Sequence, residues 1–286
     1  MSQIVLGAST QQNLLSLQGI DQTTSTTQEH LATGLKVASA VDNAVLFFQA
    51  QSLNDRANDL STRKDAIDQG ISSVTTATQG ISSAITILQQ MQGLVQSAAT
   101  DTAAQQKAAQ EQFDTLAVQL NQLLNDSSYQ GLNLVNSSTS DLTLQFSQSS
   151  SSVLKVDGQN LLISASVTGA SKASHLATVL AGAKKFTALS AGTTVFTAIY
   201  NTLNNAISTF QGAAQSLGSN VAFLQTRLSF TEQYITTLQG GANALTVADV
   251  NTESTNLVTL QTRQQLAIQS LSIATQSEQA VLRLFH

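Results

Sequence analysis

The sequence predicts a mainly α fold: a long antiparallel helical bundle or coiled coil formed by the N- and C-terminal segments, with a small β-containing central insertion. Three observations predict it. Apolar residues keep a seven-residue beat from Asp42 to about Ala99, and a second beat of the same period occupies residues 196–224. Between them the pattern changes to apolar/polar alternation broken by serine tracts. Sustained heptads call for long helices that bury one stripe against partners, and alternation calls for strands.

The totals allow this architecture and exclude several others. A chain of 286 residues can bury a sizeable core, and its 42% hydrophobic content excludes wholesale disorder. Only 10% of residues are charged, against about 25% in ordinary domains, so Ser, Thr, Gln and Asn supply the polarity. A net charge of −5 argues against a nucleic-acid partner. The chain has no Cys, Pro or Trp. That removes disulfides, thiolate nucleophiles, Cys-based zinc sites and the strongest helix breaker. The first Lys or Arg is Lys36, and no uninterrupted apolar stretch reaches about 18 residues. Neither a Sec-type signal nor membrane insertion is predicted.

The first element is an amphipathic helix in which Leu14, Leu17, Leu31 and Leu35 recur at roughly helical spacing. Next comes the long heptad run of Leu46, Leu53, Leu60, Ile67, Val74, Ile81, Leu88 and Val95, with Ala50, Ala57, Ile71 and Ile85 on the companion position. As one helix it would span on the order of 80 Å. Gly70, Gly80 and Gly93 interrupt it and are read as close-packing points. A shorter amphipathic helix follows through Phe113, Leu116, Leu120 and Leu124.

In the insertion, Leu142, Leu144 and Phe146 alternate, and Asp157-Gly158 stands between two β-prone runs, which predicts a hairpin turn there. "NSSTS" and "SQSSSS" read as exposed loops, open to solvent or to O-linked glycans. The continuation "GASKASHLATVLAGAKKF" reads as a further helical stretch. The second long helix carries Phe196, Leu203, Phe210, Leu217 and Leu224, with Ile199, Ala206 and Ala213 alternating, and is predicted to stop around Gly240-Gly241.

The last helix carries Leu257, Leu260, Ala267, Leu271, Ala274, Val281 and Phe285, flanked by Leu266, Ile273 and Ala280, and the chain closes on Leu282, Leu284 and Phe285. Its apolar face is wider than one partner helix covers, so it calls for at least two neighbours. Because no third helix remains within one chain, burial between subunits is the expectation for both terminal stripes. The heptad run from Leu53 to Val95 fits either an intramolecular core or contacts between chains. Arg56, Arg63, Asp55 and Asp59 read as a solvated helix face, since exposed ion pairs contribute only about 0–1 kcal/mol. His30, His175 and His286 have no metal-binding spacing, and no nucleotide or nucleophile motif is present. No catalytic residue, cofactor or metal is predicted.

Several stretches together resemble bacterial flagellins, particularly those of alphaproteobacterial type. "HLATGLKVASAVDNA" is similar to the family's "LSTGLRINSAxDDAAG", and "DAIDQGISSVTTATQGISSAITILQQMQGLVQSA" is similar to its "NAQDGIS…TAEGAL…LQRMRELAVQ" block. "SSYQGLNLV" resembles "TxFNGxxLL", and "ESTNLVTLQTRQQLAIQSLSIATQSEQAVLRLF" resembles the C-terminal signature. About 135 residues at the start and about 90 at the end are covered, with the centre unmatched.

The resemblance implies a subunit of the flagellar filament, exported without a Sec signal through the flagellar type III apparatus and located outside the cell. It implies terminal paired helices from 1–41 and 245–286, a long-helix bundle from 42–135 and 196–244, and a surface-exposed outer insertion at 136–195. Leu14, Leu17, Leu31, Leu35, Leu257, Leu260, Leu271, Val281, Leu282 and Phe285 would then pack the filament core. Leu53, Leu60, Ile67, Val74, Ile81, Leu88 and Val95 would pack the bundle. The implied partners are further copies of the chain, alone or with other flagellins, the export apparatus and its chaperone, and the hook-associated and cap proteins.

The sequence also departs from the family pattern. Asn43 replaces the usual second Asp, and Gln90, Gln92 and Gly93 stand where many flagellins carry Arg, Arg and Glu. The second departure implies altered recognition by the innate immune flagellin receptor. The hook–filament junction protein, which shares both terminal regions, is the alternative reading. A membrane-active secreted helical protein would need a basic amphipathic face that the N-terminal helix lacks.

Overall fold

The computed structural model describes residues 8–148, 151–162 and 194–284. Among them run five helices and one two-stranded sheet: α1 (Ala8–Thr33), α2 (Ala40–Ala98), α3 (Ala103–Asp126), β1 (Leu142–Gln145), β2 (Val153–Val156), α4 (Thr194–Thr246) and α5 (Val250–Leu284). The segment 169–186, read as helical, lies outside the described residues, as does Phe285. The chain divides into two compact units, Met1–Ala57 with Thr236–His286, and Asn58–Ile235.

In the first unit, α1 pairs with α5. Gly34 ends α1 in the left-handed region (φ +72°), and its N–H donates to the His30 carbonyl at 2.8 Å. Only glycine adopts that backbone cheaply, which makes it the stop signal. Leu35, expected on the first helix, therefore lies beyond it and bridges to Val247. Around that bridge the Lys36 and Val37 N–H groups donate to the Thr246 carbonyl, and the Ala248 N–H donates to the Gly34 carbonyl.

Helix α2 begins with a single turn and then a break at Asn43, which stands extended (φ −161°, ψ 99°). Its Oδ1 accepts from the Leu46 N–H at 3.1 Å. Asparagine thereby caps the long remainder of the helix, a task it performs about as well as aspartate.

At the other junction the predicted stop at Gly240-Gly241 is wrong: α4 runs through both glycines to Thr246. A C-terminal glycine needs a positive φ, and neither residue has one. Gly241 is instead a contact point, for a Cβ there would lie 3.4 Å from Leu53 Cδ1.

The second unit holds the apolar core. From α2 come Ile67, Val74, Ile81, Leu88 and Val95; from α3, Phe113, Leu120 and Leu124; from α4, Leu203, Phe210, Leu217 and Leu224. The hairpin adds Leu144, Phe146 and Val156. Helix α3 starts on Thr102, whose N–H and hydroxyl both donate to Gln105 Oε1.

Two of the three α2 glycines are close-packing points. A Cβ on Gly70 would lie 2.5 Å from Leu144 Cδ1, and one on Gly80 would lie 2.6 Å from Ser127 Cβ. Gly93 faces open space, so for it the packing expectation fails.

The hairpin is real but its turn is elsewhere. β1 and β2 are antiparallel with Leu142 opposite Val156 and Gln145 opposite Val153, so the chain reverses through the serine tract between them. Asp157-Gly158 is a corner after β2. There the Gly158 N–H donates to Asp141 Oδ1, and a Cβ would lie 2.5 Å from the Ser140 carbonyl oxygen. The strand signal after the corner is satisfied by residues 134–136: the Gln159 and Leu161 N–H groups donate to the Leu134 and Val135 carbonyls.

Candidate assembly surfaces

The helix pair of the first unit is an antiparallel seam built on heptads. On α1 the covered positions are Thr10, Asn13, Leu17, Ile20, Thr24, Thr27 and Leu31; on α5 they are Glu253, Leu257, Leu260, Gln264, Ala267, Leu271 and Ala274. Both series step by alternating three and four residues, the spacing that keeps one stripe facing a partner. Two polar pairs fix the direction: His30 Nδ1 lies 3.1 Å from Glu253 Oε1, and Gln264 Nε2 donates to Asp21 Oδ1 at 2.7 Å.

Leu17, Leu31, Leu257, Leu260 and Leu271, predicted from apolar spacing, all fall on this seam, each half-buried. Leu14 does not; it is 37% exposed, beside Leu15 at 68%. Val281 and Leu282 fall on the last turn of α5, where side chains are not described. Leucine spacing alone missed the three threonines. Thr10, Thr24 and Thr27 are the most buried of the described side chains of α1, and reading the heptad through every residue type would have found them. Thr24 satisfies its hydroxyl by donating to the Ile20 carbonyl of its own helix at 2.7 Å.

Outside the seam, α5 presents apolar side chains to solvent. Leu266 is 63% exposed and Ile273 61%, with Val258 and Ile268 similarly open. Covered on one stripe and bare on another, this helix carries more apolar surface than α1 buries. The entry to α5 is held electrostatically. Asp249 accepts from the Thr252 hydroxyl and from the Asn251 and Thr252 N–H groups, which together hold its carboxyl below the usual aspartate range. The Ser39 and Ala38 N–H groups, with the Ser39 hydroxyl, do the same for Asp42 at the start of α2.

In the second unit Leu60, Ile67, Val74, Ile81, Leu88 and Val95 are buried within the chain itself. Leu53, in the first unit, is half-buried. Gln90 and Gly93 are exposed, while Gln92 Nε2 donates to Asn204 Oδ1 on α4 at 2.7 Å. Arg63 pairs with Asp59 one helical turn away, and Gln51 donates to Asp55, so these polar side chains line their own helix. In the insertion, Lys155 sits between Asp141 (2.8 Å) and Asp157 (2.9 Å); these carboxylates raise its pKa, and Lys155 in turn lowers that of Asp141.

Also unpredicted was Asn133, which is buried. Its Nδ2 donates to the Leu124 and Asn125 carbonyls at the end of α3, and its Oδ1 accepts from the Val135 and Asn136 N–H groups. Among the described residues no group of three or more His, Asp or Glu is arranged to hold a metal, and no helix is long and apolar enough to cross a membrane.

Sequence comparison with known proteins points one way. Residues 6–140 match the bacterial flagellin N-terminal helical region, and residues 200–285 match the bacterial flagellin C-terminal helical region. The chain is 30% identical over 276 residues to flagellin FljK of Caulobacter vibrioides, covering 95% of this chain and 94% of that one. It is 28% identical over 286 residues to a flagellin of Brucella melitensis, covering 100% and 99%. A crystal structure of Bacillus cereus flagellin superposes with a TM-score of 0.46 at 16% identity, over 58% of this chain and 88% of that one.

Proposed function

Since this chain belongs to the bacterial flagellin family, we infer that it is a structural subunit that polymerises into the flagellar filament, an extracellular appendage that drives swimming. The observation that carries the mechanism is the half-covered α1/α5 pair. Val258, Leu266, Ile268 and Ile273 are left open on α5, and burying an exposed aliphatic side chain is worth about 1.5–3 kcal/mol. Several such side chains per subunit outweigh the cost of association. Contacts that do not close on themselves then extend into an open helical polymer.

On this reading the segments 1–41 and 245–286 form the filament core, 42–135 with 196–244 the surrounding bundle, and 136–195 the surface that faces water. Val281, Leu282 and Phe285 extend the core contact. Export through the flagellar type III apparatus with a chaperone, and contacts with hook-associated and cap proteins, complete the reading. Gln90, Gln92 and Gly93 would weaken recognition by the innate immune flagellin receptor, because the Arg, Arg and Glu side chains common at those positions are absent. Receptor activation by this protein at the potency of an Arg-bearing flagellin would contradict that. Nothing favours the hook–filament junction alternative.

The test is reassembly of purified, heat-depolymerised chain on short filament seeds, followed by negative-stain electron microscopy. Intact chain is expected to give long filaments, while chain lacking its last dozen residues, and Leu266→Asp, stay soluble. Normal elongation by both variants would remove the terminal stripe as the cause of assembly.

A further inference from the structure

Arg227 on α4 is an arginine with no anion among the described residues. Its guanidinium carbon lies 5.0 Å from the ring centre of Phe146 and 5.1 Å from that of Phe230. Its Nε is buried without a hydrogen-bond partner, and among the described residues no carboxylate pairs with it. A guanidinium held between two rings has its plane fixed before any partner arrives, so little rotamer freedom remains to be lost on binding. Around it the apolar surface is open: Phe223 is 50% exposed and Phe230 52%. Phe223, Arg227 and Phe230 are spaced four and three residues apart and so lie along one helix face.

The same unit carries the opposite strip. On α3, Glu111, Asp114 and Val118 are spaced three and four apart, all exposed, with Val118 56% open. Neither carboxylate has an ion-pair partner among the described residues. Each strip is about 10 Å long at the rise of an α-helix. One has a cation at its centre and apolar ends; the other has a carboxylate at its centre, a second at one end and an apolar side chain at the other.

We propose that these strips meet between subunits: the Phe223–Arg227–Phe230 face of one copy seats the Glu111–Asp114–Val118 face of a second copy, with Arg227 gripping the carboxylates. The occupant is a second copy because the complementary charge and apolar pattern are present on this chain. Because the two faces differ, the contact is heterologous and propagates from copy to copy. Arginine and aromatic side chains, phenylalanine among them, are also enriched at protein interfaces. The proposal rests on the filament reading above and adds a contact outside the terminal helices.

The experiment is seeded elongation by Arg227→Glu, by the pair Glu111→Arg with Asp114→Arg, and by the triple variant, each first checked for native helicity by circular dichroism. Arg227→Glu and the acidic-strip variant are each expected to elongate at least about tenfold more slowly than the unaltered chain. The triple variant, with the charges exchanged, should recover to within about threefold. If Arg227→Glu does not fold, the acidic-strip variant, altered only at exposed positions of α3, tests the contact from its other side. Wild-type elongation rates for the folded variants, or no recovery in a folded triple variant, would overturn the contact while leaving the filament reading intact. Unaltered chain that fails to elongate would overturn both.

Discussion

His30 Nδ1 and Glu253 Oε1 lie 3.1 Å apart although 223 positions separate them in the chain. Both side chains are about four-fifths covered, so the contact is only partly screened by water. It joins the last turn of α1 to the first turn of α5.

Removing one partner should loosen this end of the helix pair. Glu253→Ala is expected to cost about 0.5–1.5 kcal/mol, read as faster hydrogen exchange at the end of α1. Glu253→Gln, which keeps an acceptor oxygen, should lose less. Equal losses in the two variants would mean that the hydrogen bond contributes nothing of its own.

The α2 glycines separate by environment. Gly80→Ala drives a methyl group into Ser127 and should destabilise by about 1–3 kcal/mol. Gly93→Ala meets open space on an exposed helix surface and should stabilise by about 0.4–1 kcal/mol. Thermal melts of the two variants should therefore move in opposite directions, and a shared direction would refute the packing assignment.

Asn133→Ala removes four hydrogen bonds at once and leaves buried groups unpaired. A loss of about 1–3 kcal/mol is expected in urea unfolding, with the largest gain in hydrogen exchange at Val135 and Asn136. An unchanged midpoint would show that water or a rearranged backbone replaces those bonds.

Acid should fray the helix entries. Asp42 and Asp249 have pKa values held below the ordinary aspartate value by hydrogen bonds that exist only in the folded chain. Their contribution is therefore fully present above about pH 4, the unfolded value, and is lost as pH falls through the lower folded one. Asp249→Asn keeps a cap but cannot titrate. Hydrogen exchange in the first turn of α5, corrected for its intrinsic pH dependence, should rise on acidification in the unaltered chain and stay flat in the variant. The same rise in both would assign the fraying to other groups.

Much of this fold is legible in the sequence because burial imposes a period. Ile67, Val74, Ile81, Leu88 and Val95 announce a buried stripe seven residues at a time, and the same holds for Leu203 through Leu224. Where contact geometry decides, the signal fades. Gly34, Gly158 and Gly80 are the same residue doing three jobs: ending a helix, rounding a corner against carbonyl oxygens, and admitting Ser127. Composition cannot tell these apart. Thr10, Thr24 and Thr27 hide for a related reason, since threonine is polar by type and buries easily once its hydroxyl returns to its own helix. Arg227 is similarly silent, because Phe146 reaches it from a distant part of the chain.

The threonine seam has a mechanical consequence. Because Thr24 bonds within α1 rather than to α5, sliding one helix along the other breaks no hydrogen bond at that position. Asp21 with Gln264 and His30 with Glu253 join the two helices by polar contacts on either side of Thr24, which adds none across the seam. A helix pair built this way can adjust at Thr24 without giving up a hydrogen bond there, a useful property in a shaft that must bend as it turns.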